Sequence, residues 1–405
     1  MTVGFSARHR LTFIDALRAV AILLVFARHS AEVFVHYGYG TREILKLTNR
    51  FDVGELGVVI FFAISGFLIP SSLHGARLPG SVRYVLSRVF RLYPAFLVSL
   101  IPSAITHFWL NGKAFTGADL LLNATMVPRL FGGPLANGAY WTLEAEAAFY
   151  LLCLVLFVGG LLEQTFVFAA IALVLFVLFE SSQQVLFYGV LNPDLSGYAF
   201  FFCLNLAVMC WGATCRSWWG GRRLNVATAV VFWGFAAFWI VYRPALLVTA
   251  VLQDRLADVD TNITVSYGLG LLVFLVAALH GRVGLPLVLC VGRISYSFYL
   301  LHGVVIHLIQ HELERHPALQ GYYAGYYSVL AFAVSLALAH ASFTYVEQPG
   351  IRLGRRLTDI CLRRLDTLPA APVWLTRSAS PLLARPPASA RQARPAPRGA
   401  TDSAA

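Results

Sequence analysis

The chain has 405 residues, of which 58% are hydrophobic and only 13% charged, a balance that no soluble domain of this length could hide in one core. It therefore belongs mainly in lipid. A formal charge of +11 would suit a nucleic-acid binder, but the basic residues fall in short loops between apolar runs and form no continuous face, so no nucleic-acid partner is expected.

Apolar runs of roughly 20 residues, long enough to cross a bilayer at 1.5 Å per residue, recur along nearly the whole length. They are too long and continuous for the short alternating strands of an outer-membrane barrel. The sequence predicts an all-α polytopic membrane protein with about ten transmembrane helices, over residues 12–35, 55–73, 92–110, 140–160, 164–181, 197–215, 225–243, 262–280, 287–310 and 322–346. Arginines such as Arg8, Arg10, Arg77, Arg83, Arg216, Arg222, Arg352 and Arg355 gather on one side of that arrangement. The positive-inside rule then puts both termini in the cytoplasm.

Residues 1–357 form a single transmembrane domain in this reading, and residues 358–405 a basic, Pro/Ala-rich cytoplasmic tail expected to be disordered and to lie on anionic lipid. The first run carries Arg18 and His29 and no small-residue cleavage site, so it reads as a retained helix. The six cysteines show no CxxC pair and read as buried small hydrophobes.

Ionisable groups inside spans are costly and need a partner or a wet cavity. In the first span Arg18 and His29 are eleven residues apart, which places them on one helix face with roughly 16 Å between them along the axis. Ser65, Gly66 and Pro70 in the second span point to close helix packing. Arg88 and Arg91, three apart at the cytoplasmic start of the third span, share a face and suit the phosphates of an anionic donor; two positive charges there also serve as a topology signal.

Trp141-Thr142-Leu143-Glu144-Ala145-Glu146 opens the fourth span. Glu146, about 8 Å in by helical rise, is expected at a depth close to that of His29, where a carboxylate would orient or charge the imidazole. Glu144 points about 200° away from it, toward water or a partner. The ninth span runs from Ser295-Tyr296-Ser297 to His302. His307 and His311 follow it, but His302 lies off their face, so no metal site is expected.

Taken together, these elements resemble the acyltransferase family 3 of membrane proteins over roughly residues 10–357. The resemblance rests on Asp15-Ala16-Leu17-Arg18 with His29, Phe61-Phe62 before Ser65-Gly66-Phe67, Arg88 to Arg91, Trp141-Thr142-Leu143 with Glu146, Ser295-Tyr296-Ser297 with His302, and Tyr345-Val346-Glu347-Gln348-Pro349. It implies transfer of an acyl group, usually acetyl, from cytosolic acyl-CoA to a hydroxyl of a saccharide or lipid-linked glycan at a bacterial inner membrane.

The implied machinery is His29 and Glu146 as catalytic groups, with Arg18, Arg88 and Arg91 holding the donor and Asp15, Ser65, Trp141, Tyr296 and His302 supporting them. Acetyl-CoA enters as a substrate, with no permanently bound cofactor. Ala16 and Ala19 stand where the family usually has glycine, and Gly350 where it commonly has an aromatic. The competing reading is a transporter or flippase that uses the same Arg, His and Glu as a proton relay, although no inverted repeat is visible.

Overall fold

A computed structural model describes residues 11–40, 51–187, 193–253, 255, 260–281, 285–366 and 378–379. Arg8 and Arg10, and the tail from 367 onward apart from 378–379, lie outside the described residues. The fold is an all-α polytopic membrane bundle. Its helices are α1 (Thr12–Phe34), α2 (Val53–Leu68), α3 (Arg77–Asn111), α4 (Gly117–Ala124), α5 (Trp141–Val158), α6 (Thr165–Phe187), α7 (Pro193–Trp219), α8 (Val226–Ala237), α9 (Arg243–Leu252), α10 (Thr261–His280), α11 (Pro286–Arg315), α12 (Ala324–Ser342) and α13 (Gln348–Asp366).

Each of the ten expected spans falls on one of these helices. Among the described residues, eight helical segments are long and apolar enough to cross a membrane. Two of the eight are interrupted by a π-helical turn, Phe238–Tyr242 between α8 and α9 and Phe343–Glu347 between α12 and α13. The α1 helix is not among the eight; it carries Asp15, Arg18, Arg28 and Glu32 within its 23 residues. The α13 helix runs past residue 357 to Asp366, so the first part of the expected tail is helical.

Glycines let the central helices cross at backbone contact. A Cβ on Gly66 of α2 would strike the Met209 carbonyl of α7, and one on Gly292 of α11 would strike the Asp15 carbonyl of α1. Gly57 brings α2 against the Ala21 carbonyl of α1 in the same way, at 2.5 Å from an added Cβ. The close packing expected around Ser65 and Gly66 is thus a crossing with α7. These contacts put α1, α2 and α11 side by side, which brings Arg18, Ser65 and His302 into one core.

Two prolines, Pro94 and Pro102, lie inside α3. Pro94 lacks the N–H that would bond the Phe90 carbonyl, and Gly350 of α13 fills that spot, with an added Cβ only 2.8 Å from the Phe90 oxygen. The glycine that departs from the family's usual aromatic therefore has a packing reason here.

Candidate functional site

The arginines converge. Arg18 from α1, Arg88 and Arg91 from α3 and Arg293 from α11 line one cavity of about 160 Å³, together with Ser65, Glu146, Tyr150, Tyr296 and Tyr299. Arg88 Nη2 donates to Ser72 Oγ at 2.8 Å, and its guanidinium lies over the rings of Tyr84 and Tyr150, at 5.6 and 5.3 Å from their centroids. Arg18 is within the electrostatic reach of Arg91, and of Asp15 and Glu146 with opposite sign. Its Nη1 is 4.0 Å from Asp15 Oδ1, a separation suited to orienting the cation without tying it down. Asp15 itself is buried.

The α11 helix supplies the far wall. Tyr296 Oη donates to the Leu92 carbonyl at 3.0 Å, which ties α11 to α3 just below the arginines. Ser297, one residue on, donates to the buried carboxylate of Glu347 at 2.9 Å. Glu347 closes the π-helical turn after α12, a type of bulge frequent at functional sites.

Glu146 belongs to this cavity and is not the partner of His29. Its Oε1 accepts from Ser65 Oγ at 3.2 Å and from Tyr150 Oη at 2.5 Å. The expected depth fails because α5 starts well inside the bundle. Thr142, in its first turn, meets Tyr299 with 2.8 Å between their hydroxyl oxygens. From that level Glu146 lies one turn toward the arginines and His302 about one turn the other way, roughly 10 Å apart along the axis at 1.5 Å per residue. Trp141 supports this start by packing edge-on against Phe62 at 6.1 Å. Glu144 takes the partner that its opposite orientation foresees, receiving the backbone N–H and the Nε of Arg129 at 3.1 and 2.9 Å.

The partner of His29 is His302. His29 Nδ1 and His302 Nε2 are 3.0 Å apart, and the rings stack at 5.2 Å with an 11° tilt. His302 is fully buried, and its Nδ1 lies 2.7 Å from the Tyr299 carbonyl. A carbonyl only accepts, so His302 carries its proton on Nδ1 and offers a lone pair on Nε2. His29 must then donate from Nδ1, which leaves its own Nε2 as an unprotonated base. His29 is partly exposed.

His302, His307 and His311 do not converge. His307 Nδ1 faces Gln310 Oε1 at 3.2 Å, and His311 stacks on Trp109 at 4.9 Å. Neither His29 nor His302 lines the arginine cavity, which ends at the Thr142–Tyr299 layer. The layer is held by Tyr299 Oη, which also donates to the Ala139 carbonyl at 2.8 Å. Sequence reasoning missed Tyr150 and Tyr299. Tyr150 follows Glu146 by one helical turn and Tyr299 precedes His302 by three residues, so helical spacing from the residues already chosen would have found both.

The arrangement can hold a phosphorylated molecule at the arginines and present a neutral imidazole on the other side of a thin polar layer. The comparisons with known proteins bear on the family alone. Nodulation protein 10 of Rhizobium leguminosarum bv. viciae is 25% identical to this chain over 89% of it and 98% of its own length. An O-acetyl transferase of Shigella phage Sf6 is 26% identical over 84% of the chain and 96% of its own length. No solved structure matches the chain. The acyltransferase domain matches residues 11–341, nearly all of the helical bundle, and the chain accordingly belongs to acyltransferase family 3 and is a membrane acyltransferase.

Proposed function

We propose that this acyltransferase moves an acetyl group from cytosolic acetyl-CoA to a hydroxyl of a saccharide, a surface or exported polysaccharide or its lipid-linked precursor, at a bacterial inner membrane. The observation that carries this reading is the free Nε2 of His29, created by the His302 contact and set beyond a cavity lined by four arginines. The phage relative named an O-acetyl transferase supports the acetyl group and the oxygen acceptor. Both termini lie in the cytoplasm, with ten spans between them, so the arginine cavity opens to cytosolic donor.

Arg88, Arg91 and Arg18 hold the phosphates of the donor by charge-assisted hydrogen bonds. The pantetheine arm runs along α1, past Tyr299, and brings the thioester carbonyl to His29. His29 Nε2 takes the proton of the acceptor hydroxyl while that oxygen attacks the carbonyl carbon. The C–S bond then breaks, and the departing thiolate takes the proton from the His29 imidazolium. The products are an ester and free CoA thiol. Glu146 orders Ser65 and Tyr150 on the donor side, and His302 fixes the tautomer of the base.

Release of CoA thiol by purified protein in nanodiscs tests the reading, with wild type compared to His29→Ala. Turnover lost in the variant while CoA still binds supports acyl transfer through this base. A wild type that binds no acetyl-CoA and releases no thiol, with saccharide acceptors present, overturns it.

A further inference from the structure

The polar groups on α11 do not stop at His302. His307 Nδ1 donates to Gln310 Oε1, and Gln310 Nε2 donates to Glu314 Oε1 at 3.0 Å and to Tyr37 Oη at 3.3 Å. Tyr37 Oη completes the set by donating to Glu314 Oε1 at 2.6 Å. A hydrogen-bonded ladder thus begins at His307, five residues beyond His302, and climbs to the rim of the bundle. Such a stripe along a membrane helix needs water or a polar ligand beside it.

At the top of the ladder is an open groove of about 740 Å³, lined by residues of the segment 35–40 that ends α1 and by Gln320 and Gly321. Its volume is in the range of small-molecule sites. His36, on its wall, follows His29 by seven residues and lies in the turn just past the end of α1 at Phe34. The groove therefore lies past the end of α1 that carries His29, on the opposite side of His29 from Arg18.

The rim is built to keep its shape. Tyr39 N–H donates to the Tyr322 carbonyl at 3.1 Å, Ala324 N–H to the Tyr39 carbonyl at 3.0 Å, and Gly321 N–H to the Tyr37 carbonyl at 2.9 Å. Gly40 takes φ +88°, open to glycine at little cost, and the Tyr323 ring lies directly against it. Gly325 meets the same ring from the other side. The Tyr39 ring is left 64% exposed above this strap.

Interfacial tyrosines in a membrane protein usually need only face the headgroups. They need neither a backbone strap nor a side-chain network reaching inward. Burial and the Glu314 carboxylate also hold the Tyr37 hydroxyl above the ordinary tyrosine value, so it stays a donor at neutral pH. Exposed aromatic faces beside oriented amide, hydroxyl and carboxylate groups match a ligand that has both C–H faces and paired hydroxyls.

Resting on the acyl-transfer reading, we infer that this groove is the acceptor subsite and that it takes an oligosaccharide, stacked on Tyr39 and hydrogen-bonded by Tyr37, whose hydroxyl Gln310 and Glu314 orient. The chain of sugar rings lies across the rim, and its terminal sugar descends beside the ladder to bring a hydroxyl to His29 Nε2.

The test uses saturation-transfer NMR on the full chain in nanodiscs, with tetrasaccharides of glucose, galactose, mannose, rhamnose and N-acetylglucosamine as probes. At least one probe should receive saturation from the wild type, and Tyr39→Ala should reduce that transfer several-fold. Tyr37→Phe should do the same while keeping the ring, and the lipid-facing control Val329→Ala should not. Equal transfer to wild type and Tyr39→Ala, or none to any probe, overturns the subsite. The acyl-transfer reading is tested separately: thiol release that still depends on His29 leaves it standing if the groove fails, and loss of both removes the two together.

Discussion

His302 stands between His29 and the carbonyl of Tyr299, receiving from the first at 3.0 Å and giving to the second at 2.7 Å. Because a backbone carbonyl cannot change its role, the protonation pattern of both rings is set by the main chain of α11. The lone pair of His29 is thereby placed on Nε2 by a residue 273 positions away in the chain.

That relation predicts a sharp effect at His302. Replacing His302 by Leu removes both the acceptor for His29 Nδ1 and the donor to the Tyr299 carbonyl, so the turnover number should fall by about 10²-fold or more, with donor KM nearly unchanged. The measurement is steady-state thiol release, with nitrogen chemical shifts of His29 reporting the tautomer. A drop in donor affinity with the turnover number intact would contradict the assignment.

Glu146→Gln separates the two carboxylate roles considered for that residue. The amide oxygen still accepts from Ser65 and Tyr150, and the loss of one negative charge beside Arg18 favours a polyanionic donor. CoA should bind at least as tightly, by calorimetry, and the pH profile of turnover should keep its midpoint. A midpoint that moves would restore Glu146 as the ring's partner.

The donor arginines should resist conservative replacement. Arg88→Lys loses the planar fork that reaches Ser72 and stacks on Tyr84 and Tyr150. Donor KM is expected to rise by roughly tenfold, the scale of one charge-assisted hydrogen bond of about 1.5 kcal/mol or more. Arg91→Lys should act in the same direction, and both effects should shrink at high salt.

Gly66→Ala tests the helix crossing. Its methyl would strike the Met209 carbonyl, so α2 and α7 must part, at about 1–3 kcal/mol by the usual cost of overpacking. The melting temperature in detergent should fall. Gly117→Ala is the control, since nothing lies within 4 Å of its added methyl, and it should leave the melting temperature unchanged.

Much of this site is legible in the sequence. The eleven-residue interval puts Arg18 and His29 on one face of α1, and the three-residue interval puts Arg88 and Arg91 on one face of α3; both pairs stay within single helices, where spacing alone fixes geometry. Glu146 shows the limit of that approach. Its depth depends on where α5 begins relative to α11, and that is set by the Thr142–Tyr299 contact between residues 157 positions apart. The pairing of His29 with His302 is likewise a matter of register between α1 and α11, fixed by Gly292 against the Asp15 carbonyl. Residue spacing within a helix carries no information on either.

The layer of Thr142, Tyr299 and the Ala139 carbonyl has a meaning for the cell apart from chemistry. If the arginine cavity and the rim groove face opposite sides of the bilayer, as the acyl-transfer reading has it, one thin barrier separates the protein from a proton channel, and each charge that leaks dissipates about 2.3 kcal/mol per 100 mV of membrane potential. Thr142, Tyr299 and the Ala139 carbonyl satisfy one another across this layer, so the barrier keeps its hydrogen bonds while no donor arm threads it. On the acyl-transfer reading, the contact that parts the arginines from the imidazoles would also insulate the membrane between turnovers.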